Sequence, residues 1–237
     1  MLKIFRGICH AVRALHNHKL PSVYKTEYAN GNAPPNGHII NNDIRSQVAP
    51  TQPQAEEDIV PFAHRDIKPG QSFDIILCSN ILLSDDMQTP VLMDFGSLVR
   101  ARIKVGNRSN ALMQQEIAAE KSTISYRAPE LFDVKTNIDL DEKVDIWSLG
   151  CTLYAMAYGK SPFENSINEQ GGSIALAVLN NQFKFPNTKD DIYSQDFRNL
   201  INFLLAVDPK DRPNIHQVIE RVDLLIEQLS GNNGTNI

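Results

Sequence analysis

Three short polar motifs between positions 64 and 96 constrain the fold more than any other feature of the sequence. They are His64-Arg65-Asp66-Ile67-Lys68-Pro69, Asn80-Ile81-Leu82-Leu83 and Met93-Asp94-Phe95-Gly96. The apolar runs at 81–83 and 91–93 flank a polar turn at 84–90, which predicts a β-hairpin. Such a hairpin would bring Asn80 close to Asp94.

The residue types in these motifs suit metal-assisted phosphoryl transfer, which asks a protein mainly for positioning and for neutralisation of charge. Asp66 can orient and deprotonate an attacking hydroxyl, and Lys68 can balance charge on a transferred phosphate. Mg²⁺ prefers oxygen ligands and keeps several waters, so Asn80 and Asp94 would suffice as its protein ligands. The sequence therefore predicts one base, one cation and two metal ligands.

Later motifs extend this series in a fixed order. They are Ala128-Pro129-Glu130, Asp145-Ile146-Trp147-Ser148-Leu149-Gly150 and Asp208-Pro209-Lys210-Asp211-Arg212-Pro213. With His-Arg-Asp, Asn and Asp-Phe-Gly ahead of them, they resemble the motifs of the protein kinases. Lys68 and Thr123 resemble the serine/threonine branch. Ser97 and the run 122–130 look most like the Numb-associated kinases and, within that group, the fungal STK16-type kinases.

The resemblance implies a mainly α-helical fold, the large carboxy-terminal lobe of a protein kinase, with a short β-hairpin at the catalytic loop. This lobe would span 1–229, followed by a polar tail at 230–237. The family also has a small β-rich lobe, which we expect to be absent here, because the sequence has no Gly-x-Gly-x-x-Gly loop and no Val-Ala-x-Lys strand. We therefore expect weak or no activity from these 237 residues alone.

The implied activity is transfer of the ATP γ-phosphate to serine or threonine hydroxyls of a protein substrate, with ATP and Mg²⁺ as cofactors. Asp66 would be the catalytic base and Lys68 the phosphate contact. Asn80 and Asp94 would hold the metal and, with Lys68, bind the nucleotide.

The resemblance also assigns Thr123 to the catalytic site, where its family counterpart bonds the residues matching Asp66 and Lys68. An alternative is that Thr123, with Ser122 and Ser125, is a phosphorylation site.

Three further residues receive structural roles from the resemblance. Asp145 would hold the backbone of the catalytic loop. Glu130 and Arg212 would form a buried ion pair that ties the activation segment, 94–130, to the rest of the lobe.

Two stretches depart from the family pattern. Residues 21–61 are rich in Pro, Asn, Gln, Glu and Asp, which predicts a disordered insertion, either a passive spacer or a docking loop. Asn80 stands fourteen residues after Asp66 rather than the family's five, so nine residues, at 70–78, are extra, although Gln71 occupies the usual spacing. This is either a natural insertion or a mistaken exon boundary, and it could let the Asn80 amide drift from the metal.

Apolar periodicity and helix-forming residues predict six helices. They cover 1–18, 111–121, 144–158, 174–179, 197–207 and 215–229. The helix at 144–158 is apolar nearly all round, which indicates burial on every side.

Composition excludes several other classes. A net charge of −5 and a pI of about 5.7, without a long basic run, argue against nucleic-acid binding. Cys9, Cys78 and Cys151 have no metal-ligand spacing and fit a reducing, cytoplasmic setting. No apolar run reaches the roughly 18 residues that a membrane span requires.

The histidines His10, His16 and His18 could suggest a metal site, but no acid or cysteine converges on them in the sequence. We interpret them as surface or internally hydrogen-bonded histidines.

Two other functions stay open from the sequence. One is a non-catalytic kinase lobe that binds partners through its helices and the 21–61 loop, and the other is a small-molecule phosphotransferase of related fold. The resembled kinases are lipid-anchored through a region absent here, so peripheral association with Golgi or vacuole membranes is a further expectation if the whole protein is lipidated.

Overall fold

A computed structural model describes residues 1–19, 59–70, 80–164, 172–186 and 191–232. The helices in these ranges are α1 Leu2–His16, α2 Arg108–Lys121, α3 Lys143–Tyr158, α4 Ile174–Leu179, α5 Gln195–Leu204 and α6 Ile215–Asn232. The strands are β1 Phe62–Ala63, β2 Ile81–Leu83, β3 Pro90–Leu92, β4 Val99–Arg100, β5 Ile103–Val105 and β6 Ile138–Leu140. Short 3-10 turns lie at Phe95–Ser97 and Pro129–Leu131. The described part of the chain is therefore mainly helical, as predicted.

The strands pair only as short antiparallel ribbons within the described ranges: β1 with β4, β2 with β3, and β5 with β6. The β2–β3 ribbon is the predicted hairpin, with Ile81 opposite Leu92 and Leu83 opposite Pro90. Its second strand begins one residue before the predicted Val91. The hairpin lies directly between Asn80 and Met93, so it sets the spacing of the predicted metal ligands.

Helix α3 is the centre of the core. All its residues from Val144 to Ala155 are buried, which confirms the predicted all-round burial. A side chain at Gly150 would place its Cβ only 2.8 Å from a Leu205 methyl group, so the glycine permits close packing against the end of α5. Gly159 ends the helix with φ +83°, a left-handed conformation that glycine adopts without strain.

Helix α1 supports the β2–β3 hairpin from one side. Its buried face, which includes Phe5, Ile8 and Val12, confirms the predicted amphipathic helix. At Gly7 an added Cβ would lie 2.6 Å from Pro90 Cγ, so the absence of a side chain lets the helix approach the hairpin closely.

Helix ends differ from the predictions where local hydrogen bonds decide them. Helix α2 begins three residues before the predicted start because the Asn107 side chain caps it by accepting from the Asn110 N–H. Helix α5 begins at Gln195, after a Ser194 cap, and ends at Leu204 rather than 207. Helix α4 has its predicted bounds.

Helix α6 continues to Asn232, so the helix includes the first three residues of the polar tail predicted from position 230. The Ser230 hydroxyl donates to the Ile226 carbonyl, which is an intrahelical contact. Residues 233–237 lie outside the described ranges.

Most of both predicted insertions also lies outside the described ranges, which omit 20–58 and 71–79. The boundary of the first insertion is wrong at 59–61. Ile59 forms a β-bridge with Lys19, the Val60 N–H donates to the His18 carbonyl, and Pro61 accepts from the Ala101 N–H. These backbone bonds join the residues to the fold.

Cys9 and Cys151 are buried free thiols, and burial raises the pKa of each. Cys78 lies outside the described residues. Among the helices that the structure describes, none combines the length and the apolarity that crossing a bilayer requires.

Candidate active site

The Asp66 carboxylate is the centre of the site and is held by three donors. Its Oδ1 accepts from the Thr123 backbone N–H at 2.8 Å. Its Oδ2 accepts from Lys68 Nζ at 3.0 Å and from Asn80 Nδ2 at 2.7 Å. Asp66 is 9% exposed, so these contacts fix its orientation while leaving one edge accessible.

Thr123 joins the activation segment to this carboxylate and to the lysine. Its hydroxyl accepts from Lys68 Nζ at 2.6 Å, while its backbone N–H bonds Asp66. The contacts expected of Thr123 are therefore present, and its catalytic role stays a prediction. The alternative phosphosites Ser122 and Ser125 are buried, with hydroxyls that donate to the Ala118 carbonyl and to Glu164 Oε1, respectively.

Asn80 reaches the site despite its unusual spacing in the sequence. Its Nδ2 donates to the Asp66 carbonyl at 2.6 Å as well as to the Asp66 carboxylate. The backbone carbonyl of Asn80 accepts from the Met93 N–H at 2.8 Å, directly beyond the hairpin. These bonds hold the Asn80 amide beside Asp66, and its position relative to a metal stays a prediction.

Asp94 follows Met93 and lies at the open side of the site. Its backbone is left-handed, with φ +58°, and its Oδ1 accepts from the Gly96 N–H at 3.2 Å, which starts the 3-10 turn. The side chain is exposed. It is therefore accessible to a bound ion.

The oxygen atoms at this position fit Mg²⁺. Both hydrogen bonds of the Asn80 side chain use its nitrogen, which leaves the amide oxygen for a ligand role. With the Asp94 carboxylate, this gives the one-amide, one-carboxylate set that Mg²⁺ accepts when phosphates and waters complete its shell. Within the described ranges, no cluster of three or more His, Cys, Asp or Glu residues could hold a metal by itself.

His64 and Ser97 are site residues for which the sequence assigned no specific contact. His64 is fully buried; its Nε2 donates to the Met93 carbonyl at 3.0 Å and its Nδ1 accepts from the Asp66 N–H at 3.3 Å. The Ser97 hydroxyl donates to the His64 carbonyl at 2.6 Å. The imidazole thus links Asp66 to Met93, the residue before Asp94. The sequence signals for these two residues were the histidine of the His-Arg-Asp motif and the serine that follows Asp-Phe-Gly.

Asp145 holds the catalytic loop as predicted. It is fully buried at the start of α3, and its Oδ2 and Oδ1 accept from the His64 and Arg65 N–H groups, both at 2.8 Å. His16 Nε2 donates to the same carboxylate at 3.1 Å, which confirms His16 as an internally bonded histidine.

The other two histidines lie closer to the surface. His18 is exposed and contacts the Phe62 ring edge-on. His10 is half-buried, and partial burial lowers its pKa.

Arg65, directly before Asp66, makes a contact that the sequence did not predict. Its Nη1 donates to Gln114 Oε1 in α2 at 3.0 Å, and both side chains are buried. Burial lowers the pKa of Arg65 to about 10, with Asp145 and Glu130 opposing the shift, so the guanidinium is charged at neutral pH. A partner choice of this kind depends on how α2 packs, which no local pattern specifies.

Comparison with known proteins agrees with this geometry. The family profile described as Protein kinase domain matches residues 60–222. This range includes Asp66, Asn80, Asp94 and Arg212 and contains most of the described chain. The chain belongs to the protein kinase family.

Individual relatives narrow the resemblance. The human protein named Serine/threonine-protein kinase 16 is 43% identical over 176 residues, which cover 74% of this chain and 53% of the relative. Serine/threonine-protein kinase ppk13 of Schizosaccharomyces pombe is 36% identical over 223 residues, covering 93% of this chain and 58% of the relative. Serine/threonine-protein kinase ENV7 of Saccharomyces cerevisiae is 38% identical over 160 residues, which cover 68% of this chain and 41% of the relative.

These relatives confirm the predicted resemblance to STK16-type serine/threonine kinases. The chain spans about half the length of the curated relatives it matches.

Proposed function

We propose that this chain supplies the catalytic large lobe of a serine/threonine protein kinase, which transfers the γ-phosphate of ATP to hydroxyls of a protein substrate. The observation that carries the proposal is the convergence of Lys68, Asn80 and Thr123 on the Asp66 carboxylate. Family membership supports the same reaction class. The names of the relatives support serine or threonine as the acceptor residue.

Each side chain then has one task. Asp66 accepts the proton of the substrate hydroxyl and orients its oxygen, since the carboxylate is already fixed by its donors. Lys68, held between Asp66 and Thr123, places a positive charge beside the transferred group. Thr123 keeps the activation segment in register with the base.

Asn80 and Asp94 would hold Mg²⁺ through oxygen atoms at the open side of the site. Bound Mg-ATP supplies the phosphoryl group, and the metal neutralises charge on its phosphates. Both residues are placed by the β2–β3 hairpin, which spans the chain between them. The separation between Asn80 and Asp66 is fixed through the bonds of the Asn80 amide.

The proposed lobe requires a second one for full activity. In this family a small lobe covers the nucleotide and carries the glycine-rich loop and strand lysine. The 237 residues include neither motif. We therefore propose that these residues alone bind Mg-ATP weakly and transfer phosphate slowly, and that a small lobe joined ahead of Met1 raises both.

The test measures Mg-ATP affinity and phosphate transfer to a generic basic protein. Three proteins are compared: this chain, this chain without residues 70–78, and this chain with a related small lobe fused before Met1. In the fused protein, Asp66→Asn and Asp94→Asn should each lower transfer by orders of magnitude while circular dichroism stays unchanged. Asp85→Asn, an exposed acid in the hairpin turn, is the matched control and should keep full activity.

Two results would change the proposal. Full transfer by Asp66→Asn would remove the base assignment. Absence of measurable Mg-ATP binding by the fused protein, with the fold intact, would favour the alternative of a non-catalytic interaction module.

We also propose a cytoplasmic location, with peripheral attachment to Golgi or vacuole membranes if the whole protein is lipidated. Fractionation of cells that express the tagged protein, with and without hydroxylamine or acylation inhibitors, would test this. Lipidation-independent membrane association would contradict it.

A further inference from the structure

Arg65 has an unusual combination of features for a buried cation. Its backbone is left-handed, with φ +65°, and its side chain is almost fully buried. Its guanidinium has Gln114 Oε1 as a partner, whereas its Nε and Nη2 have none among the residues that the structure describes. A neutral amide is therefore the partner of a charged group that could bond a stronger acceptor.

Gln114 lies in α2 and is buried, with 5% of the residue exposed, and its side chain contacts Arg65 of the catalytic loop. The helix ends at Lys121, and two residues later the Thr123 N–H bonds the Asp66 carboxylate. The activation segment thus meets the catalytic loop at consecutive loop residues: Gln114 meets Arg65, and Thr123 meets Asp66. We refer to this pair of contacts as the loop clamp.

We propose that Gln114 is a positioning residue that fixes the base Asp66 by holding Arg65 against helix α2. This inference rests on the proposed function, since it takes Asp66 as the base. In many kinases the activation segment is ordered by a phosphate that pairs with arginine. Here the Gln114 amide orders the same connection without a modification, so the clamp is present in the unphosphorylated chain.

The charges around Arg65 indicate how position 114 can be varied. Asp145 and Glu130 are the acids whose fields favour the charged guanidinium, and burial opposes them. Gln114→Glu adds a carboxylate that can accept from two guanidinium nitrogens at once. Gln114→Met keeps the length and the helix propensity of the side chain but removes the acceptor.

The experiment measures hydrogen exchange in the whole 237-residue chain. It follows the backbone amides whose hydrogen bonds hold the catalytic loop in place. These are the His64 and Arg65 amides, bonded to Asp145, and the Thr123 amide, bonded to Asp66. In Gln114→Met we expect exchange at these amides to be about tenfold faster, because a hydrogen bond that involves a charged group contributes more than an ordinary one and a tenfold change corresponds to about 1.4 kcal/mol. In Gln114→Glu we expect exchange as slow as in the wild type, or slower.

Gln115→Met is the matched control, because Gln115 is the next residue of α2 and its amide donates to the Phe132 carbonyl instead. It should leave exchange at His64, Arg65 and Thr123 unchanged. Unchanged exchange in Gln114→Met would overturn the proposal. So would equal effects of the Met and Glu variants, because a role in packing alone does not distinguish a carboxylate from a thioether.

The exchange measurement separates this inference from the proposed function. It reports the loop clamp whether or not the chain transfers phosphate, so a failed transfer assay leaves the clamp result unaffected. In the two-lobed fusion, Gln114→Met should lower kcat with little change in KM for the protein substrate, and Gln114→Glu should restore kcat. A fall in thermal stability with unchanged kcat would also overturn a positioning role.

Discussion

Arg212 and Glu130 form a two-pronged ion pair across 82 positions of sequence, with Nη1–Oε1 at 2.8 Å and Nη2–Oε2 at 3.1 Å. The arginine side chain is fully buried and its guanidinium lies over the Trp147 ring, 5.2 Å from the ring centre. It also donates to the carbonyls of Ala206, Val207 and Lys143. The buried pair predicted from the motifs is therefore confirmed, and it joins the activation segment to α3 and to the end of α5.

Breaking this pair should strongly destabilise the fold. Glu130→Gln keeps the side-chain volume but leaves the buried Arg212 charge without a carboxylate, which costs about 3–5 kcal/mol. Equilibrium urea unfolding measures the loss. Glu142→Gln breaks an exposed pair with Arg102 and should cost no more than about 1 kcal/mol. Equal losses in the two variants would contradict the distinction between buried and surface pairs.

Gly7→Ala should destabilise the chain although alanine is the better helix former. The helix gains about 1 kcal/mol from the substitution. The new Cβ would meet the rigid Pro90 ring at 2.6–2.7 Å, and overpacking of this kind costs about 1–3 kcal/mol. Thermal unfolding measures the net loss. In a Pro90→Ala background the same substitution should be neutral or stabilising, and a loss that persists there would exclude the proline contact as its cause.

Thr123→Val should separate the two contacts of this residue. The backbone N–H that bonds Asp66 remains, whereas the hydroxyl that accepts from Lys68 is removed. One lost hydrogen bond of about 1 kcal/mol corresponds to a fall of about fivefold in kcat/KM for the two-lobed protein. Thr123→Ser retains the hydroxyl and should retain most of the activity. Equal rates for the Val and Ser variants would show that Lys68 needs no second partner.

The hairpin turn should give a pH-dependent contribution to stability through Asp86. Hydrogen bonds from the Ser84 and Thr89 hydroxyls, and from the Gln88 and Thr89 N–H groups, hold the pKa of Asp86 well below its usual range. Because the folded-state pKa is depressed, the stabilisation is present above the unfolded-state value of 3.8 and is lost as pH falls toward the folded-state pKa. The difference in Tm between wild type and Asp86→Asn should therefore be constant from pH 5 to 8 and shrink below it. A difference that grows on acidification would reverse the sign of the linkage.

The motifs and the apolar patterns around them predicted several elements that form the site, because short-range sequence patterns specify those elements. The apolar runs around 84–90 were enough to predict the hairpin that places Asn80 beside Met93. The all-round apolarity of α3 was enough to predict its burial, whereas the role of Asp145 was predicted from the family resemblance. These features depend on short-range pattern and on family resemblance, both of which a single sequence contains.

Partners set by tertiary packing were not predicted. Gln114 has an unremarkable position in a helix of weak amphipathicity, and only the packing of α2 brings it to Arg65. The end of α5 was placed too late for a similar reason. Ala206 and Val207 lie beyond the end of the helix, and their carbonyls accept from Arg212, a contact made outside the helix.

Asn80 is held from two directions, by Asp66 through its side chain and by Met93 through its backbone. Its place in the site is therefore fixed by contacts that do not involve the segment leading to it from Gly70. The free-energy cost of closing a loop, which is entropic, rises by only about 0.6 kcal/mol for each doubling of loop length. A longer or shorter 71–79 stretch would consequently cost little free energy, and the Asn80 amide would still have the Asp66 carboxylate as its partner.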